Sequence, residues 1–246
     1  MNGVDPTAAV GFSRSAEAYE RARPDYPAPA VDFLAARLGL GRGRTVVDLA
    51  AGTGKLTRPL LATGSDVVAV EPVAEMRAAL PPAARVLEGT AEAIPLPAES
   101  ADAVTVGQAF HWFDGDAALY EIHRVLRPGG ALGLIWNRRR KDDPLNEALD
   151  ELMAPHHRDA PAHRSDAWRA VFDRTTLFGP LEERLFANEQ SLDADGLADR
   201  IGSVSFIAAL DVAPRGEVLD AVRRLASGGR VTLRYETEVQ VCERVA

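Results

Sequence analysis

The chain switches between short apolar runs and longer stretches in which apolar positions return every three or four residues. "TVVDLA" (45–50), "DVVAVEP" (66–72), "ARVLEG" (84–89), "ADAVTVGQAF" (101–110) and "ALGLIWN" (131–137) are largely continuous apolar runs. Runs of this kind predict strands covered on both faces, the signature of a parallel sheet. Between them, "KLTRPLLATG" (55–64), "VAEMRAALPP" (73–82) and "GDAALYEIHRVLRPGG" (115–130) read as helices stopped by glycine or proline, the last ending in a turn. Upstream, "SAEAYERARPDYP" (15–27) reads as a short helix broken by two prolines. "APAVDFLAARLGL" (28–40) reads as a helix with Val31, Leu34 and Leu38 on one face.

The second half has a different rhythm. "PLNEALDELM" (144–153) and "SDAWRAVF" (165–172) are helical patches in a polar, proline-bearing stretch. "LEERLFANEQSL" (181–192) reads as a strand, and "DADGLADRIGSV" (193–204) and "PRGEVLDAVRRLA" (214–226) as helices. "RVTLRYETEVQVCERV" (230–245) alternates strictly, which suits an antiparallel strand exposed on one side. The expected fold is therefore α/β and Rossmann-like: a seven-stranded, mostly parallel sheet with an antiparallel last strand and helices on both faces. The simplest organisation is one domain, 1–246. It comprises N-terminal helices (12–38), a core of alternating strands and helices (44–137), a small helical cap or insertion (138–180) and a C-terminal part of the sheet (181–246).

Composition narrows the function. No run of 18 apolar residues exists to span a membrane, and no basic segment followed by an apolar one opens the chain, so a cytoplasmic location is expected. Cys242 is the single cysteine, which excludes an internal disulfide and fits a reducing compartment. A net charge of −8 argues against a broad nucleic-acid surface.

The strongest chemical signal is "DLAAGTGKLT", an apolar strand running through an acid into two glycines. A phosphate-binding P-loop places a glycine four residues before Gly-Lys-Ser/Thr. Here Leu49 holds the first position and Leu56 the hydroxyl position, so that reading fails twice. A dinucleotide fingerprint, Gly-x-Gly-x-x-Gly, matches at Gly52 and Gly54 but meets Thr57 at the third place. Asp48 before the turn would also repel a pyrophosphate. A third reading is a cofactor that carries a positive charge and a ribose. The glycines admit close backbone approach, Asp48 faces the cation, and Glu71 at the end of the second strand offers a carboxylate to the ribose hydroxyls. S-adenosylmethionine has these parts.

These segments, in this order, resemble the class I S-adenosylmethionine-dependent methyltransferases. The resemblance runs through "VVDLAAGTGKLT", "VVAVEPVAEMRAAL", "LEGTAEAIPLPAESADAVTVGQAFHWFD" and "LYEIHRVLRPGGALGLIWN". "YERARPDYP" with "QAFHWF" makes the chain similar to the small-molecule branch, the ubiquinone-biosynthesis and trans-aconitate methyltransferase relatives. The resemblance implies that Asp48, Ala50, Gly52 and Gly54 surround the methionine part. It implies that Glu71 holds the ribose, that Pro72 and Met76 flank the adenine, and that Thr90 and Ala91 lie at its edge. Gln108 and Ala109 would end the fourth strand beside the sulfonium, and Tyr19, Arg23 and Tyr26 would form the lid.

The implied reaction is transfer of a methyl group from S-adenosylmethionine to a small organic substrate, leaving S-adenosylhomocysteine. O-, N- and C-methylation all stay open, a carboxylate or natural-product intermediate among the acceptors. Gln108 and His111 are the candidate catalytic residues. His111 in "FHWF" has two readings, a packed core histidine or a base and substrate contact. Trp112 and Phe113 read as pocket wall or core. Tyr26, His111, Trp112, Arg138, Trp168 and Phe206 are the candidate substrate-pocket residues, Arg138 because "RRRK" (138–141) follows the fifth strand directly. His156, His157 and His163, with Asp159 and Asp166, lack the four-ligand set of a structural zinc, so no metal is expected. The expected partner is a small-molecule substrate, with neither nucleic acid nor membrane, and the chain a monomer or homodimer. Two alternatives differ in class: a non-catalytic or repurposed S-adenosylmethionine-binding protein, and a nicotinamide-dependent, NAD(P)-linked oxidoreductase.

Overall fold

The structure, a computed structural model, describes residues 22–156 and 167–245. Its strands are β1 (Thr45–Leu49), β2 (Asp66–Val70), β3 (Arg85–Leu87), β4 (Ala101–Gly107), β5 (Leu126–Arg139), β6 (Glu182–Leu192) and β7 (Val231–Glu243). They form one seven-stranded sheet in the order β3-β2-β1-β4-β5-β7-β6. The pairs β3·β2, β2·β1, β1·β4 and β4·β5 are parallel. β7 runs antiparallel, as expected from its alternation, but the expected exposure on one side holds only for residues 231–236; residues 237–242 are buried on both faces, polar Glu238 and Gln240 included. Two bonds of a single register mark its direction: Arg140 N–H to the Arg234 carbonyl at 3.0 Å, and Arg244 N–H to the Gly130 carbonyl at 2.9 Å.

The helices are α1 (Ala28–Arg37), α2 (Thr57–Ala62), α3 (Ala74–Arg77), α4 (Gly115–Val125), α5 (Pro144–Met153), α6 (Ala170–Arg174), α7 (Ala194–Gly202), α8 (Ser205–Ala208) and α9 (Val212–Leu225). Local chemistry explains several starts. Asp114, Asp143 and Asp193 accept the backbone N–H groups of Ala117, Asn146 and Gly196 and so cap α4, α5 and α7. Proline in the first turn of α1 and of α5 gives up no helical hydrogen bond there.

Two compact units are distinguished among the described residues. One comprises 26–136, 167–186 and 237–245, and the other 22–25, 137–156 and 187–236. The first holds two apolar clusters. In one, Val47, Leu49, Val104, Val106, Leu132, Leu134 and Trp136 pack with Leu119 and Ile122 of α4. In the other, Val46, Ala103 and Ile135 pack with Leu34 and Leu38 beside α2's Leu60. Alternate residues of one strand thus serve opposite cores, which is why β1, β4 and β5 read as unbroken apolar runs. The second unit has its own core, with Leu149, Leu197, Ile201, Val222, Leu233 and Tyr235 at its centre.

Two boundaries differ from the sequence expectation. The fourth strand stops at Gly107 rather than Phe110, because Gln108 takes φ 59° and the chain then enters a 3-10 turn at Phe110–Trp112. The helix read through 115–130 ends at Val125, and Leu126 already pairs with Ala101. Regular pairing resumes only at Ala131 with Ala103. Pro128, without an N–H, and Gly129 at φ 77° belong to the excursion between.

Candidate functional site

In the strand order, neighbours run toward β3 on one side of β1 and toward β5 on the other, so the reversal falls between β1 and β4. Open α/β sheets bind ligands at the carboxyl ends of strands beside such a reversal. Several features converge on those ends in the first unit. Ala50 follows β1 at φ 55° and Gln108 follows β4 at φ 59°. Together with Glu99 these are the non-glycine residues with positive φ among the described residues. A left-handed backbone is strained for a residue with a Cβ, and such strain gathers at functional sites.

Glu71 follows β2, is 4% exposed, and turns its carboxylate back toward β1. Its Oε2 accepts the N–H of Gly52 at 2.9 Å, and its Oε1 accepts the N–H of Val73 at 2.9 Å. Burial pushes this carboxyl above its usual range, while the two amides pull the other way. Arg77 fixes the same corner from α3 by donating to the carbonyls of Glu71 (2.9 Å) and Pro72 (2.6 Å), and it pairs with Glu88. The carboxylate is therefore oriented by backbone on one side of each oxygen, leaving further lone pairs for donors.

The glycine turn is shaped for close approach. Gly52 sits at φ 58°, and among the described residues a Cβ there would meet only the Met76 sulfur within 4 Å, at 3.9 Å. Gly54, at φ 91°, has no such room: a Cβ would stand 2.9 Å from Pro81 Cδ and 3.2 Å from Leu80 Cδ2. Between them Thr53 is buried, and its hydroxyl has no hydrogen-bond partner among the described residues. Asp48 is 1% exposed and accepts the Thr57 hydroxyl at 2.6 Å. Burial pushes Asp48 up to about 7, and the Glu71 charge adds to the shift. Thr57, which spoils the dinucleotide fingerprint, thus supplies the partner of the buried acid.

At the end of β4 the wall is aromatic. The Tyr26 hydroxyl lies 2.7 Å from where a Gly107 Cβ would be. His111 has its ring 4.6 Å from that of Trp112 and 5.5 Å from that of Trp136. Trp136 stacks on Trp168 at 5.1 Å, and Phe110 meets Trp168 at 5.7 Å. The Trp168 indole N–H is buried without a partner among the described residues.

Of the residues expected at the site, Asp48, Ala50, Gly52, Gly54, Glu71, Pro72 and Met76 gather at the ends of β1 and β2. Thr90 and Ala91 lie in the turn after β3, where Thr90 bridges to Ala93 and Ala91 is buried. Gln108, Ala109, His111, Trp112, Tyr26 and Trp168 belong to the same unit. Arg23, Arg138 and Phe206 belong to the other. There Arg23 donates to the Ser203 carbonyl at 2.7 Å. Tyr19, His157, Asp159, His163 and Asp166 lie outside the described residues. No group of three metal-ligating side chains occurs among the described residues. Nor is any helix there long and apolar enough to cross a membrane. Sequence reasoning missed Thr53 and Arg77. A hydroxyl between the two turn glycines marked the first, and nothing marked the second.

Comparison with known proteins agrees with this architecture. Residues 47–134 match the family described as a methyltransferase domain. The chain is 41% identical over 249 aligned residues to an uncharacterized methyltransferase of Mycobacterium tuberculosis (strain H37Rv), covering 96% of this chain and 95% of that protein. It is 34% identical over 198 residues to a malonyl-[acyl-carrier protein] O-methyltransferase of Enterobacter lignolyticus, covering 76% of this chain and 78% of the relative. Among solved structures, a protein assigned as a type II methyltransferase from Anaeromyxobacter dehalogenans superposes with a TM-score of 0.67 at 25% identity, over 90% of this chain and 97% of that one. With the order of its strands, the glycine turn and its relatives all in agreement, the chain belongs to the class I methyltransferase family.

Proposed function

We propose that this protein transfers the methyl group of S-adenosylmethionine to a small organic molecule. The observation that carries the reading is the bond from Gly52 N–H to the buried Glu71 carboxylate, at the carboxyl ends of adjacent strands beside the reversal of the sheet. A carboxylate held this way suits a ribose diol, whose two hydroxyls donate to its remaining lone pairs. The residues fit the rest of the cofactor as well. Among the described residues a Cβ on Gly52 would meet only the Met76 sulfur within 4 Å, the buried Thr53 hydroxyl has no partner there, and Met76 and Pro72 are apolar neighbours for a base. When bound, S-adenosylmethionine supplies an electrophilic methyl on a positively charged sulfur.

The chain's own contribution is orientation and exclusion of water, which together account for large rate factors in such displacements. Ala50 and Gln108, both left-handed, hold the backbone at the ends of β1 and β4, on either side of the reversal. Tyr26, Trp112 and Trp168 are assigned to the substrate wall, and His111 to the acceptor: as a base if the acceptor is protonated, as a contact if it is not. The Enterobacter relative, named for O-methylation of malonyl-acyl carrier protein, supports an oxygen acceptor.

The test is conversion of S-adenosylmethionine to S-adenosylhomocysteine in the presence of separate panels of small carboxylic acids, phenols and amines. Turnover is expected to depend on one panel, and His111→Asn is expected to lower kcat for a protonated acceptor while cofactor affinity holds. Absence of S-adenosylmethionine binding would remove the proposal.

A further inference from the structure

The turn between β3 and β4 carries Thr90 and Ala91, yet within residues 90–96 its described backbone bonds are few and local. Ala93 N–H reaches the Thr90 carbonyl at 3.3 Å, and Leu96 N–H reaches that of Ile94 at 2.7 Å. What fixes this turn comes from α4, about thirty residues further along the chain. Glu121 Oε2 accepts the N–H of Ile94 at 3.0 Å. Arg124 donates to the carbonyl of Ile94 at 2.9 Å and to that of Leu96 at 2.8 Å. The two side chains are locked to each other by paired contacts of 2.7 Å. From within the turn, Glu92 accepts the N–H of Asp114, the residue that caps α4.

An exposed ion pair three residues apart on a helix contributes little by itself. This pair is different because three of its hydrogen-bonding positions are spent on the backbone of one turn, through charge-assisted bonds. The Arg124 guanidinium holds the Glu121 carboxyl below its usual range, so the acceptor stays ionised. Pro95 completes the arrangement by packing where a Cβ on Gly89 would lie, 2.6 Å away, with Val70 of β2 on the same spot at 3.1 Å. The turn is thereby tied both to α4 and to β2, the strand that Glu71 follows.

We propose that Glu121 and Arg124 are positioning residues for recognition of the cofactor's base. They set the backbone of residues 90–96 so that the groups at Thr90 and Ala91 meet the hydrogen-bonding edge of adenine. This rests on the S-adenosylmethionine reading above. Neither residue touches the ligand; both act through the turn.

The experiment is calorimetric titration with S-adenosylhomocysteine and with its hypoxanthine counterpart, S-inosylhomocysteine, in which a carbonyl replaces the adenine amine. The wild type is expected to prefer the adenine compound by about tenfold or more, the worth of a lost hydrogen bond in a buried site. Arg124→Lys, which cannot fork to two carbonyls, is expected to bring that ratio close to one. Glu121→Gln retains an acceptor and should keep most of the preference. Should Arg124→Lys fail to fold, Glu121→Ala is read the same way. Equal weakening of both ligands, or a lowered melting temperature with an unchanged ratio, overturns the proposal and leaves the pair a structural brace. A wild type that binds both ligands equally overturns it too. A wild type that binds neither overturns the cofactor reading, and this inference with it.

Discussion

The hydroxyl of Thr57 donates to Asp48 at 2.6 Å, both residues being all but inaccessible to water. An acid in that position is a strained element: burial disfavours its charge more than one hydroxyl can compensate, and it rises to about 7. Because the folded value is raised above the unfolded one, the folded state binds the extra proton. Asp48 then contributes stability that is complete below about pH 4 and is lost as pH climbs toward 7.

Asp48→Asn should abolish that dependence. The difference in unfolding free energy, wild type minus variant, is expected to fall by a few kcal/mol, in order of magnitude, between about pH 4 and pH 7 and to stay flat above. Denaturant melts at four or five pH values check it. A constant difference across that window would mean Asp48 is ionised in the folded protein throughout.

Gly54 has both a left-handed backbone and no room for a side chain. Gly54→Ala is expected to lower stability by about 1–3 kcal/mol, because φ 91° strains alanine and the new methyl presses on Pro81 and Leu80. Thermal unfolding reads this directly. Gly52→Ala carries the backbone strain without the crowding and should lose less stability, but it should lose affinity for S-adenosylhomocysteine.

The close approach of Tyr26 to Gly107 gives a paired prediction. A methyl on Gly107 would collide with the Tyr26 hydroxyl at 2.7 Å, so Gly107→Ala should displace the ring and weaken cofactor binding several-fold. Removing the hydroxyl relieves the clash, and Gly107→Ala with Tyr26→Phe should recover part of the loss. Titration of the four forms gives the coupling. Additive losses would show that the two residues act separately.

These sites differ in how far the sequence betrayed them. The central strands were legible because each is buried on both faces and has no polar alternation to confuse it. The place of Glu71 after the second strand was legible because the apolar run closes on an acid and a proline. "RPGG" was misread as a turn after a helix, since proline and glycine signal a break but not that Leu126 has already joined β4. The end of β4 was overrun because "GQAF" continues the apolar run, while Gln108 leaves the strand by adopting φ 59°. The grips of Arg77 on residues 71 and 72, and of Arg124 on residues 94 and 96, were invisible. An arginine reaching a backbone carbonyl leaves no spacing rule behind, least of all across thirty positions.

Arg77 supplies a further expectation. Without its two carbonyl contacts the corner that aims Glu71 is free to shift. Arg77→Met keeps much of the apolar stem and should weaken S-adenosylhomocysteine binding by about three- to tenfold. An unchanged dissociation constant would restrict Arg77 to its surface pairing with Glu88.

The decisive comparison is isothermal titration of wild type and Glu71→Ala with S-adenosylhomocysteine. The wild type should bind one equivalent, and the variant should bind at least about thirtyfold more weakly, since it loses charge-assisted bonds to two ribose hydroxyls. Equal binding by the two proteins, with folding confirmed by circular dichroism, would contradict the assignment of Glu71 and the site built around it.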